Sequence, residues 1–281
     1  MCYTDFMMMP AVTRGVYPVT ANNLLLYRVA AFDAHPYLTH AIFTRRGGYS
    51  QAPFDTLNLG LSVGDDPQAV KKNYEQVCQA INILPEQTVS CHLIHSADVL
   101  TINQTNRQKV MGQADGLITA TPGVYLSMRF GDCTPLIFFD PLRRAVGLTH
   151  AGWRGTMKDA AGATVRAMIA QFGCQASDII AVIGPAIGPC CYEVGPEVLA
   201  AASPVLPNAA TLFTRRNGRA GHAHFDLWEA NRRQLLAAGL KQIIKSELCT
   251  ACRTDQFFSH RAERGRTGRF GVIIGLRGAG A

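Results

Sequence analysis

Among the side chains of this 281-residue sequence, a thiol and an imidazole in one short stretch stand out as chemically capable. The stretch GDCTPLIFFDPLRRAVGLTHAGWRG, residues 131–155, carries Cys133 near its start and His150 near its end. Two apolar runs, Leu136 to Phe139 and Ala145 to Thr149, flank Asp140-Pro141-Leu142-Arg143 and read as a β-hairpin around a proline-containing turn. If Asp140 faces Arg143, then Cys133 faces His150. Directly opposed residues share a face with Cβ atoms about 5 Å apart. A thiol and imidazole so placed could share a metal ion or act as nucleophile and base. A slip of one residue would send them to opposite faces. Pro135 puts Cys133 at or just before the strand start, where proline is tolerated.

Other candidates are scattered. SCHLIHSADVLTI alternates as a strand would and carries His92 and His95. The turn-rich segment after the strand Ala41 to Thr44 offers Arg45 and Asn58 as polar groups near a ligand. Arg154 stands just before a helix read from Gly155 to Phe172, where backbone N–H groups and the helix dipole favour an anion. Cys249 and Cys252 have CxxC spacing, but no second CxxC accompanies them, which argues against a zinc ribbon, and a βαβ redox setting is missing. The adjacent Cys190 and Cys191 read as buried or loop thiols rather than a strained vicinal disulfide. His222 and His224 form the single His-x-His pair, in a polar stretch from Asn217 that reads as an exposed loop.

The elements that must position these groups alternate between strands and helices. A strand is predicted at Asn23 to Ala31. Asp66-Pro67 opens a helix whose Val70, Tyr74, Val77 and Ile81 share a face, with Cys78 packed inertly beside it. Gln113 to Gly116 is a turn leading into the strand Leu117 to Thr119. In the helix after the hairpin, Met157, Ala161, Thr164, Val165, Met168 and Phe172 form the apolar stripe. Asp178 to Ile183 is an apolar strand followed by the tightly turned GPAIGP. Asp226 and Glu229 make a capping pattern for a helix from Leu227 to Ala238, ended by Gly239. Phe270 to Leu276 closes the chain as a strand.

Composition narrows the class. With 48% hydrophobic and 17% charged residues the chain suits a globular protein, and without repeats or linkers a single domain is expected. No apolar run approaches the ~18 residues that span a membrane. The N-terminal MCYTDFMMMP lacks the marks of a secretory signal, so a cytoplasmic location is expected. The net charge of +7 is dispersed apart from Arg143-Arg144, Arg215 to Arg219 and Arg261 to Arg269, without interleaved aromatics, which favours a small anionic ligand over nucleic acid. Nine cysteines without a signal point to reduced thiols rather than a disulfide framework.

THAGWRGT, IGPAIGPCCYEVG, FDLWEANRRQL, CTACRTDQFFSHR and GRTGRFGVIIGL together resemble the laccase-domain, YfiH-like proteins, described as multifunctional purine nucleoside phosphorylases and earlier as polyphenol oxidases. The likeness runs from FTRRGG at Phe43 to Leu276 with the motifs in order. It implies an α+β fold, a four-layer α/β/β/α sandwich in a single domain, with residues 1–40 a variable N-terminal segment and 41–281 the catalytic unit. It also implies a zinc site of His95, Cys133 and His150, carried over from the histidine of QVHG, the cysteine of (A/G)DC and the histidine of HAGWRG. Here the first motif departs, with Leu93 for the glutamine and Ser96 for the glycine. Three protein ligands and one open position describe a catalytic zinc.

The implied activity is phosphorolysis of adenosine, inosine and S-methyl-5′-thioadenosine, with deamination of adenosine, so purine nucleosides and phosphate are the expected small-molecule partners. No nucleic-acid or membrane partner is expected. Zinc can activate water for attack at C6 of adenine, with Glu193 or Asp132 as proton-shuttling carboxylate. Cys133, Arg154, Arg45 and Asn58 are the expected catalytic residues, and Arg261 is a further candidate for the anion clamp. A second reading is copper-dependent oxidation of phenols with Cu2+ in the site. A multicopper cluster needs many histidines, and eight with one His-x-His pair argue against it. A third is a cysteine hydrolase with Cys133 as nucleophile and His150 as base, and a fourth a binding module without catalysis.

Overall fold

Strand residues that alternate in direction line two separate cores, and this builds the molecule from the hairpin outward. In the computed structural model, which describes residues 15–215 and 220–278, the order begins with β1 (Val16–Ala21), β2 (Leu24–Val29), α1 (Ala30–Asp33), β3 (Leu38–Phe43) and α2 (Pro67–Ala80). It continues through β4 (Thr88–His92), β5 (Val99–Ile102), β6 (Val110–Gln113), β7 (Gly116–Thr119), β8 (Tyr125–Phe130), β9 (Thr134–Asp140) and β10 (Ala145–Ala151). Then come α3 (Trp153–Met157), α4 (Ala160–Phe172), β11 (Ile180–Ile183), β12 (Glu193–Val194) and α5 (Pro196–Ala202). The last elements are β13 (Phe213–Thr214), β14 (Ala223–Phe225), α6 (Leu227–Ala237), β15 (Gln242–Lys245) and β16 (Phe270–Leu276). MCYTDFMMMP, most of the Arg215–Arg219 cluster and the start of the stretch from Asn217 lie outside the described residues.

These strands form a mixed α/β fold with several sheets. A seven-stranded sheet runs β1-β2-β3-β16-β8-β4-β6, a six-stranded sheet runs β15-β11-β9-β10-β7-β5, and a small one runs β12-β14-β13. On β9, Ile137 and Phe139 enter a core shared with Val272 and Ile274 of β16 and Leu126 and Met128 of β8. Leu136 and Phe138 point the other way, into a core with Val165 and Met168 of α4 and Leu235 of α6. The far side of the seven-stranded sheet packs Ala41, Phe43 and Ile273 against Val77 and Cys78 of α2. Each Leu, Ile or Phe so buried contributes roughly 1.5–3 kcal/mol before conformational entropy is counted. No helix among the described residues is long and apolar enough to cross a membrane.

Three local expectations change. The hairpin pairs Asp140 with Ala145 and His150 with Pro135, so the turn is Pro141–Arg144 and longer than the assumed two residues. The Asp140 carboxylate sets this turn by accepting from the N–H groups of Leu142 at 2.8 Å and Arg143 at 2.9 Å, and Arg144 completes it at φ +49°. The register is displaced by two, which preserves the face but leaves Cys133 outside the ladder, before β9. The helix expected from Gly155 to Phe172 is two helices, because Asp159 adopts a left-handed φ of +61° and caps α4 by accepting from the Gly162 N–H. Arg154 therefore lies inside α3 rather than ahead of a long helix. The strand expected to carry both His92 and His95 ends at His92, and His95 lies beyond it at φ +57°.

Candidate metal centre

Sheet topology explains how three distant donors meet. Cys133 lies on the segment joining β8 of the seven-stranded sheet to β9 of the six-stranded one. His95 lies on the segment joining β4 to β5, which makes the same passage between sheets. His150 sits near the end of β10, where Thr149 pairs with Gly116 and His150 comes beside Asp115. One ligand atom from each of His95, Cys133 and His150 lies within 4.8 Å of the others. The two imidazole centroids are 5.0 Å apart, and Phe130 packs 5.7 Å from the His150 ring.

Asp115 organises two of the three. Its Oδ1 lies 2.8 Å from His150 Nδ1, while Oδ2 accepts from the N–H groups of Ile94 at 3.1 Å and Ser96 at 2.6 Å. The residues on both sides of His95 are thus tied to the carboxylate that orients His150. Burial pushes the Asp115 carboxyl upward, yet the hydrogen bonds from His150, Ser96 and Ile94 outweigh it and hold it at about 2. His150 is buried, which opposes its charge, but its neighbours Cys133 and Asp115 raise it to about 9. His95 is lowered, chiefly by burial and then by the neighbouring His150, so it is a neutral imidazole near pH 7.

The donor set suits a divalent ion. With Nδ1 held by a carboxylate, His150 keeps its other nitrogen for an ion, the carboxylate–histidine arrangement that metal sites use. Gly152 makes the approach feasible. A Cβ there would fall 2.9 Å from Cys133 Sγ and 3.1 Å from His95 Nδ1, although its φ of −76° admits any residue. Asp132, at φ +89°, turns the chain into Cys133, and its carboxylate accepts from Thr250 Oγ1 and the Arg261 N–H, both at 2.6 Å. Those two bonds occupy both of its oxygens and give Asp132 a bracing part.

The remaining predicted residues divide. Arg154 stacks on Trp153 at 4.4 Å, and its charge reaches His95 and Tyr192. Arg261 donates to the Glu193 carbonyl at 2.6 Å and stands 5.3 Å over the Tyr192 ring. Trp153, Tyr192, Glu193, Glu197, His222 and Arg261 line a cavity of about 420 Å³. Arg45, by contrast, directs its donors at protein: Nε to the Asp55 carbonyl at 2.7 Å, and Nη1 to Thr254 at 2.9 Å and Glu263 at 2.7 Å. Asn58 is fully buried and accepts from the N–H groups of Gly60 and Arg269, both at 2.8 Å. Burial lowers the Arg269 guanidinium, with Cys133 and Asp132 opposing that shift. Sequence reasoning missed Asp115, Gly152, Tyr192 and Arg269. Asp115 was visible only as part of a turn, and its partners become apparent only once β7 is paired with β10.

A family model described as multi-copper polyphenol oxidoreductase laccase matches residues 39–277. The purine nucleoside phosphorylase YlmD of Geobacillus stearothermophilus is 42% identical over 243 residues, which cover 83% of this chain and 88% of that one. A purine nucleoside phosphorylase of Bacteroides thetaiotaomicron is 31% identical over 255 residues, covering 87% and 94%. The crystal structure of YlmD from Geobacillus stearothermophilus aligns with a TM-score of 0.84 at 39% identity, over 90% of this chain and 96% of that one. That of Bacillus licheniformis YfiH gives 0.84 at 35% identity, with the same coverage.

Proposed function

Because this chain belongs to the laccase-domain, YfiH-like family, we propose that it is a zinc-dependent purine nucleoside phosphorylase acting on adenosine, inosine and S-methyl-5′-thioadenosine, with adenosine deaminase activity. The observation that carries the reading is the convergence of His95, Cys133 and His150 in front of Asp115. Zinc, if held by those three side chains, would supply Lewis acidity of the kind that deamination at C6 of adenosine needs. Copper is the other ion that an imidazole–thiolate set accepts. A multicopper oxidase would need further histidines, and none joins this group among the described residues.

In phosphorolysis a phosphate oxygen bonds to C1′ of the ribose as the C1′–N9 bond breaks and the purine leaves with the electron pair. Arg154 is the proposed phosphate anchor, its guanidinium fixed against Trp153. The aromatic faces of Trp153 and Tyr192 suit a purine. Burial above all raises the Tyr192 phenol above its usual range, so it stays protonated and can donate to a departing base. Arg45 and Asn58 act through position: Arg45 braces its loop, and Asn58 holds the backbone of Arg269. The core between the two large sheets, with α2 packed outside one sheet and α4 and α6 outside the other, supports the four-layer α/β/β/α order. Residues 41–281 are the proposed catalytic unit, joined at its edge by β1 and β2.

The Asp115–His150–Cys133 chain also has the order of a thiol hydrolase triad, which is the second reading. His95 favours the metal, since a hydrolase has no need of a third donor at that point. The deciding experiment measures zinc content together with phosphate-dependent release of hypoxanthine and adenine, in wild type and Cys133→Ala. Ribose 1-phosphate as co-product, lost in the variant together with the zinc equivalent that Cys133 would help to hold, is the expected result. Release of free ribose that ignores both phosphate and zinc would overturn the proposal.

A further inference from the structure

Four cysteines from two distant segments meet at a second point. Cys190, Cys191, Cys249 and Cys252 each place Sγ within 4.8 Å of the other three. Cys252 Sγ lies 3.4 Å from that of Cys190 and 3.3 Å from that of Cys191. A tetrahedral ion with metal–sulfur bonds near 2.3 Å sets its sulfurs about 3.8 Å apart, within the span observed. Covalent S–S bonds, at about 2.05 Å, are far shorter than these contacts.

The surrounding backbone is built to hold them together. β11 and β15 are parallel neighbours, so the loops that follow them leave the sheet on the same side. The loops are joined where Ala186 bridges Cys249, with the Ala186 N–H donating to Leu248 and the Thr250 N–H donating to Ala186. The Gly188 N–H donates to Cys249 Sγ at 3.2 Å, the kind of bond that steadies a metal-bound thiolate. Cys249 is buried while Cys190 and Cys252 are exposed, so the group has a fixed floor and an open entry.

We propose that Cys190, Cys191, Cys249 and Cys252 form a closed tetrathiolate site for one structural Zn2+, separate from the three-donor centre. Four sulfurs leave no open coordination position, which assigns the ion a structural part. Its position gives that part a purpose. From the same two loops, the Thr250 hydroxyl donates to the Asp132 carboxylate at 2.6 Å and the Ile187 N–H to the Asp132 carbonyl at 2.9 Å. An ion clipping the loops together fixes the residue immediately before Cys133. The assignment stands independently of the proposed reaction.

The test isolates this cluster in the full-length Cys133→Ala protein, loaded with Zn2+ under reducing conditions and freed of loosely held ion. One zinc per chain is expected by elemental analysis, with X-ray absorption at the zinc edge showing four sulfurs at about 2.3 Å. Adding Cys252→Ser, or in a second variant Cys190→Ser, should abolish that stoichiometric zinc. Both positions are exposed, and the sulfur count needs no change to the cluster, so it decides the matter even if a serine variant folds poorly. Fewer than four sulfurs, zinc retained in both serine variants, iron in place of zinc, or disulfides among the four cysteines of zinc-treated protein would each overturn the assignment.

Discussion

Replacing Asp115 by asparagine changes one atom and confronts the site with a choice it cannot satisfy. The carboxylate accepts on three fronts: Oδ2 from the N–H groups of Ile94 and Ser96, and Oδ1 from His150 Nδ1. An amide keeps one acceptor oxygen and presents an NH2 in place of the other. If its oxygen stays on the backbone donors, the NH2 faces His150 Nδ1, which must then accept. The ring proton moves to the other nitrogen, the one needed for a metal. If the amide turns over, two backbone N–H groups beside His95 confront an NH2. Charge-assisted hydrogen bonds of this kind contribute about 1.5–3 kcal/mol each. The loss of a carboxylate behind a ligating histidine costs about 10- to 100-fold in metal affinity, or about 1.4–2.7 kcal/mol. Zinc Kd, measured by competition against a chelator of known affinity at fixed pH, should therefore rise 10- to 100-fold in Asp115→Asn. Denaturant unfolding of the metal-free protein separates this from any general loss of stability. A zinc affinity within threefold of wild type, despite a less stable metal-free protein, would show that Asp115 only braces the loop.

Gly152→Ala should displace Cys133 and His95 together, because the new Cβ falls 2.9 Å and 3.1 Å from their donor atoms. Zinc affinity at the three-donor centre and nucleoside cleavage should drop at least about tenfold while circular dichroism keeps the wild-type spectrum. The raised His150 makes zinc binding proton-linked. Its imidazolium stabilises the metal-free fold fully below the ordinary value of 6.5, and that contribution is lost as pH rises through about 9. A metal must displace this proton, so zinc affinity should climb by up to about tenfold per pH unit between 7 and 9 and flatten above. Calorimetry in buffers of different ionisation enthalpy should register the released proton at pH 7.5. Arg154→Ala should raise KM for phosphate at least tenfold with little change in melting temperature. Arg45→Ala should do the reverse, costing about 3 kcal/mol of stability because Glu263 and two carbonyls lose their partner. Steady-state kinetics with thermal melts on both variants distinguishes the two roles.

The sequence announced its strands and donors better than its turns. The short apolar runs LIFF and AVGLT marked β9 and β10 because a strand buried on both faces reads as a nearly unbroken hydrophobic run. The hairpin register failed for a local reason, since Asp140 builds a longer turn with its own carboxylate, and nothing in the spacing separates the two turn lengths. The break at Asp159 was hidden for a similar reason: apolar periodicity continues across it, while one left-handed residue redirects the axis. His95 and Cys133 were nameable only through the resemblance or the assumed hairpin. What brings them together is the chain passing twice between sheets, a long-range property that no window of sequence contains. The four cysteines show the same limit more sharply. CxxC and CC look incomplete when read separately, and they become one group only because β11 and β15 run side by side.

The two crossings between sheets carry a mechanical implication. His95 and Cys133 ride on spans that stitch one layer to the other, while His150 is anchored in a single layer. An ion gripping all three would work as a rivet through the laminate, and sliding of one sheet over the other would have to stretch its bonds. Loading the centre should accordingly stiffen amide hydrogen exchange in β8 and β9 well beyond the residues that touch it, so that the reacting pocket and the joint of the whole fold are one piece of hardware.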